Sequence, residues 1–135
     1  MTARTQRTKP ASWRKQQLNQ LFKGVSEMKK ELEEACVHDL GRHAYWTVLA
    51  EVNNLLEYCQ HHADNVEKYM KEVECDPSII FAPASSAIKY EPLGVALIFG
   101  SWNFPYFVTL KPLVTCITSG NCAIIKPSEL GPCSA

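Results

Sequence analysis

Three side chains in the last third of the sequence carry groups suited to chemistry on a bound small molecule. Asn103 lies in the loop Ser101-Trp102-Asn103-Phe104-Pro105. Its amide can donate a hydrogen bond to a developing oxyanion, and it brings no charge that would cost heavily to bury. Lys126 and Glu129 stand three residues apart, where a short apolar run gives way to Pro127-Ser128. An ammonium and a carboxylate so placed can grip a pair of ribose hydroxyls. Each has a plainer alternative: Asn103 capping the helix that follows, and Glu129 complementing a helix dipole beside a surface Lys126. Spacing alone favours those alternatives.

Other chemistries find less support. Gly94 and Gly100 bracket an apolar run and do not form G-x-G-x-x-G, so the usual dinucleotide fingerprint is absent. Cys59 and His62 are three apart with His61 adjacent, but no second pair has ligand spacing, so no metal site is expected. The six cysteines, Cys36, Cys59, Cys75, Cys116, Cys122 and Cys133, are scattered without a clustered pattern. They read as reduced and mostly buried, and none has a partnered base in the sequence that would make it a nucleophile.

Two kinds of element must position the candidate residues. Leu18, Leu21, Phe22, Val25, Met28, Leu32 and Ala35 recur at spacings of three and four, which predicts one amphipathic helix with Ser12 as its N-cap and Gly41 as a stop. Val48, Leu49, Val52, Leu55, Leu56, Cys59, Ala63, Val66 and Met70 predict a second helix, completing a helical hairpin. The chain reads as helical up to Asp76-Pro77, where Pro77, Pro83 and small residues mark a connection. Ala87–Glu91 is a short alternating strand ended by Pro92. Gly94–Gly100 is apolar without alternation, as in a parallel strand covered by helices on both faces. A helix should follow from Pro105 to about Thr118, with Pro112 predicting a kink or early break and Gly120 a C-cap. Cys122–Lys126 is a second strand, after which Ser128 can cap a new helix.

The fold class expected is therefore α/β: a helical hairpin followed by the first βαβ unit of an incomplete Rossmann-like parallel sheet. Its divisions are a helical region over 1–76, a linker and short strand over 77–92, and the start of a nucleotide-binding domain over 93–135. A lone βαβ unit leaves both strand edges open, so the sequence is expected to be part of something larger. Ligands of open α/β sheets bind outside the carboxyl ends of the strands, which is where Asn103 and the Lys126–Glu129 couple fall.

Composition is globular over the 135 residues: 46% are apolar and 21% charged. Lys plus Arg and Asp plus Glu are 14 each, a balance that argues against a nucleic-acid partner. No run approaches the about 18 apolar residues of a membrane span, and the amino terminus lacks a secretory pattern. Arg4, Arg7, Lys9, Arg14, Lys15 and Lys23 all precede the first acid, Glu27. An organelle transit segment would look like this, but an exposed basic helix face with a cytoplasmic location is the favoured reading.

The stretch from Glu91 to Pro105, E-P-L-G-V-A-L-I-F-G-S-W-N-F-P, followed by S-G-N-C-A-I-I-K-P-S-E over 119–129, resembles the aldehyde dehydrogenase superfamily. Trp13-Arg14, Gln17-Leu18 and Asp39-Leu40-Gly41-Arg42 are similar to its class 3 and fatty-aldehyde branch. The resemblance spans nearly the whole chain but only the first quarter to third of a full family member. It implies an NAD- or NADP-dependent oxidation of an aldehyde to an acid through a cysteine thiohemiacetal. Asn103 would help form the oxyanion hole, and Lys126 and Glu129 would hold the adenosine ribose. Ser101 and Trp102 would join the cofactor-binding residues, with Trp102 and Phe104 lining the approach. Ser101 stands where relatives often have Pro or Thr. The family's nucleophile and its general base in E-L-G-G-K lie beyond Lys126-Pro-Ser-Glu129, so this polypeptide alone is not expected to be active. A homodimeric parent is implied. Two rival readings are a non-catalytic fragment that acts on a full-length enzyme, and a small metal or redox module built on Cys59, His61 and His62.

Overall fold

The computed structural model describes residues 6–135. Arg4, one of the basic residues of the transit reading, lies outside them. The first apolar series forms two helices, α1 (Ala11–Glu27) and α2 (Lys29–Leu40), rather than the single one its spacing predicts. The chain bends at Met28 (φ −92°, ψ 12°), and that side chain is exposed. The bend lets α1 bury Leu18 and Val25 while α2 turns Cys36 inward. Pro10, not Ser12, takes the N-cap position of α1, and Ser12 lies inside the helix. Gly41 ends α2 in the left-handed conformation (φ 59°), as its position suggested.

The second series is helical throughout, but it changes pitch. It runs through α3 (Ala44–Thr47), a π-helical stretch (Val48–Asn53) and α4 (Asn54–Tyr69). α1 packs on α4, and α5 (Pro105–Thr118) packs against both. Leu18, Val25, Val52, Leu55, Cys59, Ala63, Val66 and Val114 form one core. Full burial of Leu18 and Leu55 contributes about 2 kcal/mol each.

The helix does not reach Asp76. Val73–Cys75 forms β1, paired antiparallel with β2 (Ser86–Ile88) in the register Val73↔Ile88. β1 has no sequence signal of its own, because its backbone partners arrive only after the connection has turned back. That connection holds a 3₁₀ turn (Ile79–Phe81) and a cis Ala82–Pro83 bond. β2 sits slightly earlier than the predicted Ala87–Glu91 strand. The ladder with three-residue β1 stops at Ile88, so Lys89, Tyr90 and Glu91 lie beyond it.

β3 (Val95–Phe99), α5 (Pro105–Thr118) and β4 (Cys122–Lys126) make the βαβ unit, and β3 and β4 are parallel neighbours. α5 continues past Pro112 to Thr118, without the early break its ring predicts. Asn121 N–H reaches the Cys116 carbonyl and Gly120 N–H the Ile117 carbonyl, both at 2.9 Å. These two bonds close α5 in a Schellman motif around Gly120 (φ 83°). Arg14, buried rather than on an exposed basic face, adds a bond from Nη1 to the Thr118 carbonyl at 2.9 Å. A cation is thereby placed at the negative end of α5. Only one face of the sheet is covered among the described residues: Ile98 is buried, whereas Val95, Leu97, Phe99 and Ile124 are exposed. The expected helix after β4 is absent as well. Pro127–Ala135 forms successive turns, although Ser128 Oγ does accept a bond from Leu130 N–H at 3.2 Å. No helix of the described residues is long and apolar enough to cross a membrane.

Candidate functional site

Register brings the two candidate loops together. Phe99 pairs with Lys126 at the carboxyl ends of β3 and β4, and Gly100 N–H donates to the Lys126 carbonyl at 2.9 Å. The chain then leaves both strands side by side. Gly100 is required by close approach: a Cβ there would lie 2.1 Å from Thr109 Oγ1 of α5.

In the first loop, Ser101 Oγ donates to Asn103 Oδ1 at 2.6 Å. With its oxygen engaged, the amide presents its nitrogen as the end able to donate. Asn103 does not cap α5. That role falls to Glu51, whose side chain is fully buried and whose Oε2 accepts from Tyr106 N–H at 2.9 Å and Phe107 N–H at 3.2 Å. The carboxylate satisfies two otherwise orphaned donors and sits at the positive end of the helix. Arg42 pairs with Glu51 Oε1 at 2.5 Å, donates its other terminal nitrogen to the Asn103 carbonyl, and lies 4.7 Å from the Phe104 ring centroid. Trp102 and Phe104 are exposed beside this network. A hollow of about 360 Å³ adjoins the loop, lined by Arg42, Trp46, Ala50 and Phe104.

In the second loop, Lys126 Nζ donates to Glu129 Oε2. The two side chains are 50% and 76% exposed, so the couple faces solvent. The Lys126 hydrogen bond holds the Glu129 carboxyl below its ordinary range. Donor and acceptor side by side suit a vicinal diol, whose hydroxyls can donate hydrogen bonds to the carboxylate and accept them from the ammonium. Further on, Asp39 Oδ2 accepts from Cys133 N–H at 3.0 Å, Ser134 N–H at 2.8 Å and the Ser134 hydroxyl at 2.8 Å. Burial would raise the Asp39 carboxyl, but hydrogen bonds from Ser134, His38 and Cys133 bring it down to about 2.

The cysteines offer no nucleophile. All six are free thiols; Cys36, Cys59 and Cys116 are buried, Cys75 and Cys122 are partly covered, and Cys133 is exposed. Burial pushes Cys59 up to about 11 and raises Cys116. Cys133 approaches His38 Nδ1 at 3.2 Å, but the same nitrogen meets Asp39 Oδ1 at 3.2 Å. A base relaying a proton would need its two ring nitrogens for two partners. Desolvation and Asp39 also raise the Cys133 thiol. His38, Asp39 and Cys133 place metal-capable atoms within 4.8 Å of one another, one ligand short of a closed zinc site. Cys59, His61 and His62 diverge: His62 Nδ1 meets Thr118 Oγ1 at 3.0 Å, and His61 Nε2 meets the Tyr69 hydroxyl at 3.1 Å.

Sequence reasoning missed the anchors. Glu51 falls within the apolar stripe, three residues after Val48 and four before Leu55, and a charge in that position was the available signal. Asp39 and Arg42 stand out in the sequence only as the ends of Asp39-Leu40-Gly41-Arg42.

The aldehyde dehydrogenase family model matches residues 2–135. Aldehyde dehydrogenase family 3 member I1, chloroplastic, of Arabidopsis thaliana is 33% identical over 129 residues, covering 96% of this chain and 24% of the relative. The structure of a substrate-bound Staphylococcus aureus AldH is 34% identical with a TM-score of 0.94, covering 97% of this chain and 29% of that one. A succinic semialdehyde dehydrogenase from Streptococcus pyogenes, in complex with NADP+ as the cofactor, shares the fold at 21% identity and a TM-score of 0.80, covering 93% and 26%. The chain thus spans about a quarter of the length of the proteins it matches.

Proposed function

The chain belongs to the aldehyde dehydrogenase family, and on that premise we propose that it supplies the oxyanion donor and the ribose grip of an NAD- or NADP-dependent aldehyde oxidation. The observation that carries this reading is the pairing of Phe99 with Lys126, from which the Asn103 loop and the Lys126–Glu129 couple emerge next to each other. Asn103 donates its amide N–H to the oxygen of the aldehyde carbon as it becomes tetrahedral. Lys126 and Glu129 hold the cofactor's adenosine ribose, with Ser101 and Trp102 beside it. A nicotinamide cofactor held there would supply the hydride acceptor. By the resemblance, the cysteine and the general base belong to residues other than these 135, and this stretch alone is not expected to turn over aldehyde. The division at 76 and 92 belongs to the same reading, as does a homodimeric parent, for which the exposed Ile79, Ile80 and Phe81 offer an apolar contact. Six free thiols support a cytoplasmic location.

The test uses the protein encoded by the complete coding sequence, read past Ala135 for E-L-G-G-K and a cysteine. Formation of NADH or NADPH from a short aldehyde should be measurable there. Asn103→Ala should lower kcat by about 100-fold to 1,000-fold. Lys126→Ala should weaken cofactor binding while leaving kcat at saturating cofactor nearly unchanged. An unaltered kcat in Asn103→Ala removes the oxyanion role. The bare face formed by Val95, Leu97, Phe99 and Ile124 favours a second reading, in which the chain is non-catalytic and acts by contact with a full-length enzyme. A stop codon directly after Ala135 selects that reading.

A further inference from the structure

The Asp39-Leu-Gly-Arg42 turn between α2 and α3 touches the loop after β3 and the turns that follow the Lys126–Glu129 couple, and nothing in the proposed chemistry accounts for it. Its first residue takes three hydrogen bonds from Cys133 and Ser134 in the turns after β4. Its last residue reaches the loop after β3, through the Asn103 carbonyl, the Phe104 ring and Glu51. Gly41 makes the reversal possible, because its left-handed backbone ends α2 and sends Arg42 away from the helix axis.

We infer that Arg42, backed by the buried carboxylate of Glu51, is a positioning residue that sets the orientation of Asn103, while Asp39 ties the same turn to the chain after β4. The inference rests on the oxyanion reading of Asn103 for its kinetic consequence, and on geometry alone for its structural one. Three observations carry it. Glu51 has no solvent to neutralise it, so its charge is met by Arg42 and by the two α5 amides. The π-helical stretch that holds Glu51 widens the helix where that side chain leaves it, and such stretches recur at functional sites. Arg42 spans the carboxylate and the Asn103 carbonyl with separate nitrogens of one planar group, a geometry that a lysine cannot copy.

The experiment combines amide hydrogen exchange with a double-mutant cycle on the complete protein. Arg42→Met and Arg42→Lys should both speed exchange of the Tyr106 and Phe107 amides and leave those of α1 and α4 unchanged. In kinetics, Arg42→Met should lower kcat by about 100-fold with KM for aldehyde little altered, because misplacing a reacting group costs rate more than binding. Arg42→Lys should restore thermal stability but little of kcat. In an Asn103→Ala background, Arg42→Met should cost less than about threefold more, since the two residues act through one group. Additive effects in the cycle overturn the positioning role even when Asn103 itself proves essential. Should Asn103→Ala leave kcat intact, the oxyanion reading fails, and exchange at Tyr106 and Phe107 still decides the anchor. Unchanged exchange there in Arg42→Met overturns it.

Discussion

The turns after β3 and β4 occupy equivalent places in the sheet and are held in different ways. The first is clamped from inside the protein: a fully buried carboxylate caps α5, a guanidinium bridges it to the loop, and a glycine lets the helix lie against the strand end. The second carries its ion pair in solvent, and its following turns hang on Asp39. A rigid loop suits a group that must meet a short-lived charge with its geometry already set. A solvated pair suits reversible capture of a ligand that binds and leaves each cycle.

The sharpest way to break this contrast is Glu51→Ala. It leaves Arg42 facing a void and two helix amides unmet, and should destabilise the fold by about 3–5 kcal/mol in denaturant titrations. Gly100→Ala drives a methyl group into Thr109 and should cost about 1–3 kcal/mol, with Thr109→Ser or Thr109→Ala restoring only part, because the Thr109 Cβ would itself sit 3.2 Å from the new methyl. Asp39→Ala should have a smaller effect on the melting temperature, because water can replace the carboxylate at the exposed Cys133 amide, leaving the half-buried Ser134 as the main loss. The pH dependence of that contact has a definite sign. A carboxyl lowered from 3.8 to about 2 stabilises the folded state fully above its unfolded value and loses that contribution as pH falls through about 2. Nuclear magnetic resonance of the Ser134 amide should follow that loss. Lys126→Ala should change stability least, as both partners are exposed, so that any large effect it has must appear in ligand binding.

Much of the arrangement was legible along the chain. An unbroken apolar run between glycines gave β3, the Pro105 start gave α5, and Gly120 gave its end. The loops bearing Asn103 and Lys126 followed from those boundaries. The missed features depend on partners distant in sequence. β1 exists because Ile88 returns to Val73, and the bend at Met28 exists because α1 and α2 have different neighbours to bury against. Periodicity reports which side of a helix is apolar, and it cannot report that the helix must change direction to use it.

Local residue types, then, determined that Val95–Phe99 and Cys122–Lys126 are strands, where the helix between them starts and ends, and which groups with chemical potential stand in the turns after them, since each depends on near neighbours. Tertiary structure alone decided what holds the turns still. Glu51 meets Tyr106 across 55 positions and Arg42 meets Asn103 across 61. A buried charge reveals its partner only when packing has removed the water that would otherwise satisfy it.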